Sequence, residues 1–250
     1  MKLSEMQSGP DYVKVLLLGA SGAGKTVNSM TFPGQILSAD FDNKISSAVK
    51  FYAGNKEMLE RISVNQYGKM PVIGDAKLGR KPRMKSFLDD LQSFYNLQNN
   101  KQKLPFETII IDTITTMTDS ILEDYRYVSQ TGVKRPNIDQ NSQSDYGLLA
   151  THFKQIITGI LALDCNVIVI GHTQLSKDES TGTITNEILM PGQMASKLGI
   201  YFEEVYFAKL DQAGKHVWQT KPDARTAFCR TQRKLPPEIP ANYAEIVKAR

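Results

Sequence analysis

Apolar residues along this chain fall into short blocks with two alternating periods. Residues 13–18, 35–40, 108–112 and 166–172 are runs rich in Val, Ile and Leu, the pattern of strands buried on both faces of a parallel sheet. Between them the period lengthens. Over 84–98, Phe87, Leu88, Leu91, Phe94, Tyr95 and Leu97 recur at helical spacing. Helices are also predicted over 44–52, 117–128 and 146–163. Strand alternating with helix predicts an α/β fold: a mostly parallel central sheet flanked by helices, with right-handed crossovers. The alternation breaks after His172. Residues 176–191 read as polar and flexible, and then 201–209 and 215–221 flank Asp211-Gln212-Ala213-Gly214 as a C-terminal antiparallel hairpin.

These elements fit one domain over 12–235, between a loose polar lead (1–11) and a tail (236–250). Residues 68–83, dense in Gly, Pro and Lys, and the polar stretch 130–144 read as surface excursions.

Composition changes this picture little. Of the 250 residues, 41% are hydrophobic and 22% charged, enough to bury a sizeable core. No apolar run approaches the roughly 20 residues of a membrane span, and the first residues lack a signal-peptide core. Cys165 and Cys229 are too few for a zinc site or a disulfide framework, so a reducing cytoplasm is expected. The net charge of +4 is unevenly spread. Residues 69–103 hold eight basic side chains against three acidic ones, and 209–250 hold nine against four. Such clusters suit a polyanion such as DNA, or are simply solvated surface.

The chemistry starts with Gly19-Ala20-Ser21-Gly22-Ala23-Gly24-Lys25-Thr26, which matches the phosphate-loop pattern G-x-x-x-x-G-K-[ST]. At average residue usage this pattern arises by chance in roughly one chain of this length in a hundred. A strand before it and a helix after it make the match a physical site. The glycines let backbone N–H groups converge on a phosphate at a helix N-terminus. Lys25 would reach the β- and γ-phosphates of ATP, and the Thr26 hydroxyl would ligate Mg²⁺.

A second carboxylate is needed at a neighbouring strand end to hold Mg²⁺. Asp112, closing the run 108–111, fills that role or else caps the next helix. Thr113, not an acid, follows it, so a water-activating base must come from elsewhere. Asp42 is favoured and Asp40 is the alternative, both at the end of the second strand. A plain turn with both acids bonding local N–H groups would look the same in sequence. His172, at the end of the strand 166–172, stands where it can contact a γ-phosphate, or be satisfied by backbone.

The ordered set of Gly19–Thr26, Asp40/Asp42, Asp112 and His172 resembles the RecA-like ATPases, above all their phage-type, core-only members that anneal single strands. The resemblance covers about 12–235. It implies Asp42 as catalytic acid, Asp112 at the Mg²⁺, His172 as γ-phosphate sensor, and a mobile DNA loop in 176–195. It also implies that Arg230 and Arg233 are candidates to reach a neighbouring subunit's nucleotide. The catalytic acid is Asp where the family usually has Glu, so slow hydrolysis is expected. The loop carries Lys177 against Asp178, Glu179 and Glu187 before Lys197, a weak set for DNA contact.

The resulting expectation is an ATP-hydrolysing, single-stranded-DNA-binding protein of recombination or strand annealing. It would form a ring or filament with nucleotide at the subunit interface. A single-strand-binding protein is a further partner, and the host cytoplasm is its place if the chain is phage-encoded. Two other classes use the same loop. One is a nucleotide or small-molecule kinase, with residues 79–83 as an arginine-rich lid. The other is a switch or motor subunit that gates a protein partner.

Overall fold

A computed structural model describes residues 11–67, 83–127 and 143–248. Residues 1–10, 68–82 and 128–142, where the lead and most of both expected excursions fall, lie outside the described residues. So do residues 249 and 250.

The chain begins with β1 (Lys14–Gly19), the glycine loop and α1 (Lys25–Ser29), then β2 (Ile36–Asp40). Two short helices, α2 (Ser46–Phe51) and α3 (Lys56–Glu60), lead to β3 (Ile62–Gln66). Next come α4 (Arg83–Asn99), β4 (Thr108–Asp112), α5 (Ile114–Tyr127), α6 (Gln143–Leu161) and the long β5 (Asn166–Lys177). The remainder is β6 (Ile184–Ile188), α7 (Met194–Leu198), a 3-10 turn at Gly199–Tyr201, and β7 (Glu204–Leu210). It ends in β8 (His216–Gln219), β9 (Glu238–Pro240) and α8 (Tyr243–Val247).

The sheet order is β3-β2-β4-β5-β1-β7-β8-β9, with β6 paired to β5 alone. From β3 to β7 every neighbour is parallel, and β8 and β9 continue antiparallel. The mostly parallel sheet and antiparallel C-terminal strands match the sequence expectation. Alternation within each strand explains why both faces are apolar. Leu16, Leu18, Ile109, Ile111, Val167 and Val169 face one layer with Phe87 and Leu91 of α4, Met117 and Ile121 of α5, and Phe153 and Ile157 of α6. Val15, Leu17, Ile110, Ile168 and Ile170 face the other, with Ala48 of α2 and Ile246 of α8.

Three features differ from the sequence reading. The helix expected over 44–52 is the shorter α2, and it is followed by α3 and β3. β3 is an edge strand whose residues are only partly buried, so it carries no clear apolar run. Inside the stretch 176–195 there is a strand the sequence reading did not place: β5 runs on to Lys177 and pairs with β6 from Thr173↔Ile188 to Lys177↔Ile184. Within the segment read as a tail, β9 adds a strand beside β8, and α8 buries Ile246.

Register brings the chemistry together. Gly19 lies opposite His172 on β1 and β5, and Asp40 lies opposite Asp112 on β2 and β4. All four are at the carboxyl ends of parallel strands, the edge where open α/β sheets bind ligands.

Candidate functional site

The glycine loop is shaped by close packing. A Cβ at Gly19 would lie 2.6 Å from the Ala208 carbonyl oxygen of β7. At Gly24 φ is +78°, and a Cβ there would meet the Asn28 amide and the His216 ring at 2.7 Å. Only glycine fits either place. α1 is a single short helix, so converging loop N–H groups dominate over a long helix dipole.

Lys25 is buried, and its ammonium donates to the carbonyls of Gly19 and Ala20, each at 2.8 Å. It also lies 3.4 Å from His172 Nδ1. Burial pushes its pKa down to about 8, against the pull of Asp112 and Asp42. The Thr26 hydroxyl donates to Asp112 Oδ2 at 2.6 Å. Burial lifts the Asp112 carboxyl to about 6, the Thr26 bond opposes this, and the charges of Asp42 and Asp40 add to it.

Asp42 and Asp40 have separate environments. Phe41 between them is buried against Tyr67 and Phe87, with ring centroids 5.3 and 5.2 Å apart. The Asp112 carbonyl accepts N–H bonds from Phe41 at 2.6 Å and Asp42 at 3.3 Å. This clasp turns the Asp42 side chain into the cleft. Its Oδ1 accepts from the hydroxyls of Thr116 and Thr113, and its Oδ2 faces Lys44 Nζ at 3.3 Å and His172 Nε2 at 3.7 Å. Burial pushes the Asp42 carboxyl up, but the bonds from His172 and Thr116 and the Lys44 charge outweigh it and hold the pKa well below the usual range. Asp40 is 1% exposed and does not line the cleft. Its Oδ1 accepts the Lys44 N–H at 3.4 Å, while Oδ2 has no partner. Burial raises its pKa. Asp42 is the strand-end acid that faces the site.

His172 is fixed at both backbone groups. Its N–H donates to Thr115 Oγ1 at 3.2 Å and its carbonyl accepts from Leu189 N at 2.9 Å, just past β6. The imidazole therefore stands between Lys25 and Asp42, and its strand continues into the β5–β6 hairpin.

Lys25, Thr26, Asp42, Asp112 and His172 line one cleft of about 520 Å³, a size that suits a nucleotide. Neither arginine joins them. Arg230 donates through Nε to the Phe202 carbonyl at 2.9 Å. Arg233 lies 3.7 Å from Glu204 and 3.5 Å from Asp11, at the opposite end of the sheet from the glycine loop.

Sequence reasoning missed Lys44, the threonines and His216. The run Thr113-Ile114-Thr115-Thr116, directly after a strand-end acid, is a usable signal: its hydroxyls reach Asp42 and the His172 N–H at the neighbouring strand ends, while Thr113 Oγ1 also accepts from Thr116 N. His216 rests its Nδ1 3.1 Å from the Ala23 carbonyl and lines the cleft. Nothing local in sequence announces that contact, because it depends on β8 crossing behind the loop.

A search of curated proteins finds no match to this chain. A family model described as AAA domain matches residues 11–227, which spans the glycine loop, both acids of the cleft and His172. The chain belongs to the AAA domain family, a nucleotide-binding ATPase class.

Proposed function

We propose that the chain is an Mg²⁺-dependent ATPase in which Asp42 activates the attacking water. In this reading its partner is single-stranded DNA, in phage-type recombination or strand annealing. The observation that carries the catalytic part is the seat of Asp42. Two threonine hydroxyls hold one oxygen, and the other faces a cleft shared with Lys25, Thr26 and Asp112. A carboxylate so held can orient water and accept its proton.

The donor set also supports Mg²⁺. Thr26 and Asp112 present hard oxygens in mutual contact, and Asp112 is short of cationic compensation. Among the described residues no group of three or more His, Cys, Asp or Glu forms a metal cage. That is the donor pattern of an Mg²⁺ that takes its remaining ligands from phosphates and water. Thr26 and Asp112 would hold the ion, which would supply positive charge against the charge that develops on the phosphates.

For the DNA partner, support comes from the resemblance and from the tie between His172 and the β5–β6 hairpin. Residues 177–187 carry Lys177 against Asp178, Glu179 and Glu187. The charge that meets phosphate is therefore assigned to exposed Lys215, Lys221 and Arg225 instead. Assembly into a ring or filament remains part of the proposal. Arg230 is exposed, which favours it over Arg233 as the side chain offered to a neighbour.

Phosphate release from ATP, measured with Mg²⁺ and with or without single-stranded DNA, tests the reading. Stimulation by DNA is the expected result. Transfer of phosphate to a small acceptor would make the chain a kinase, and indifference to both would make it a switch or motor subunit.

A further inference from the structure

The cleft contains a second lysine that no motif selects. Lys44 lines it beside Lys25, Thr26 and Asp112, and its side chain is 72% exposed where that of Asp42 is 6% exposed. Its backbone is held by a built turn. Asn43 takes the left-handed conformation at φ 55°, and buried Asp40 accepts the Lys44 N–H at 3.4 Å. The Lys44 carbonyl accepts from Ser47 N at 3.2 Å and Ser47 Oγ at 3.0 Å. A fixed backbone thus carries a flexible four-carbon stem whose ammonium rests 3.3 Å from Asp42 Oδ2.

Phosphoryl transfer needs positive charge around the γ-phosphate as its oxygens gain charge. Within one chain, Arg230 is tied to the Phe202 carbonyl and Arg233 to Glu204 at the far end of the sheet. Lys25 sits deep at the loop and is nearly all buried. Among the described residues, Lys44 is the lysine at the open side of the cleft, on the same side as Asp42.

We propose that Lys44 is a catalytic residue that contacts the γ-phosphate in cis, moving from Asp42 to the phosphoryl oxygens as the transition state forms. This rests on the reading of Asp42 as the water-activating group. In the step, the water oxygen bonds to the γ-phosphorus while the bond from that phosphorus to the β,γ-bridging oxygen breaks. The broken bond's electron pair leaves with ADP, the water proton passes to Asp42, and inorganic phosphate results. Lys44 neutralises charge on the oxygens in flight, and its departure from Asp42 frees that carboxylate to take the proton. With its own side chain largely exposed, Lys44 buries little on folding, so its removal should leave the fold intact.

The test is ATP turnover and ATP affinity of the full chain with Mg²⁺, comparing Lys44→Ala, Lys44→Arg, Asp42→Asn and, as a control, Lys56→Ala. Lys56 makes only an exposed pair with Glu60 at 3.5 Å. Lys44→Ala should lower kcat about 100-fold with Kd for ATP changed by less than about threefold, as for a group acting in the transition state. Lys44→Arg should recover most of the rate, and Lys56→Ala should match the parent chain. Lys44→Ala turning over at the parent rate or faster would overturn the proposal. So would a raised Kd at unchanged kcat. If Asp42→Asn loses turnover while Lys44→Ala keeps it, only the role of Lys44 fails. If Asp42→Asn also turns over normally, the base assignment fails, and the Lys44 step with it.

Discussion

Asp112 is a carboxylate that burial has made hard to ionise. Its pKa stands near 6 in the folded chain against an ordinary 3.8. Between about pH 4 and pH 6 the folded protein therefore holds a proton that the unfolded chain has released. The stabilising contribution is complete below the unfolded value and is lost as pH rises through the folded one. A shift of this size is on the order of 3 kcal/mol. In chelator and without nucleotide, the thermal midpoint should fall between about pH 4 and pH 6, and Asp112→Asn should flatten that fall. An equal fall in the variant would place the cause elsewhere. At the next shell of contacts, Thr116 orients Asp42 through its hydroxyl. Thr116→Val keeps the shape and removes that bond. We expect kcat to drop about tenfold at nearly constant ATP affinity; a matching loss of affinity would show that Thr116 serves binding instead.

The elements best read from sequence were those with both faces buried. β1, β2, β4 and the first half of β5 are largely apolar runs, and β4 and β5 carry Asp112 and His172 at the edge of the sheet that lines the cleft. What stayed hidden was set by tertiary context. β3 borrows its stability from pairing with β2, and β6 from pairing with an extended β5, so neither needs an apolar run of its own. The acids were legible as a pair, yet only the packing of Phe41 against Tyr67 and Phe87 decides which one turns into the cleft. The C-terminal segment shows the same dependence. Asn242 caps α8 by accepting from Glu245 N at 3.2 Å, Tyr243 N–H donates to Thr31 Oγ1 at 3.0 Å, and Ile246 is fully buried. Ile246→Ala should cost about 2–5 kcal/mol in urea unfolding. A cost under about 0.5 kcal/mol, typical of a surface site, would mean that the segment is not part of the core.

At the scale of the whole molecule, the fold gathers five side chains at one edge: Lys25 and Thr26 of α1, Asp42 just past β2, Asp112 of β4 and His172 of β5. It leaves a hairpin hanging from the strand that bears His172. No helix among the described residues is long and apolar enough to cross a membrane. Contact with a nucleic acid would then fall to exposed basic residues, and counterion release sets how it responds to salt. Gel-shift affinity for single-stranded DNA, measured with ATP and Mg²⁺, should fall at least about tenfold between 50 and 200 mM salt. Lys221→Glu should weaken binding and flatten that slope. No shift at any salt would remove DNA from the account and leave the ATPase cleft standing alone.

The proposed catalytic role belongs to Asp42 and not to its neighbour Asp40. It is tested most directly by single-turnover ATP hydrolysis of Asp42→Asn and Asp40→Asn, with ATP affinity measured on the same samples. Asp42→Asn should bind ATP nearly as the parent does but hydrolyse it about 100 to 10,000 times more slowly. Asp40→Asn should keep most of the rate. A fast Asp42→Asn, or a collapse confined to Asp40→Asn, would contradict it.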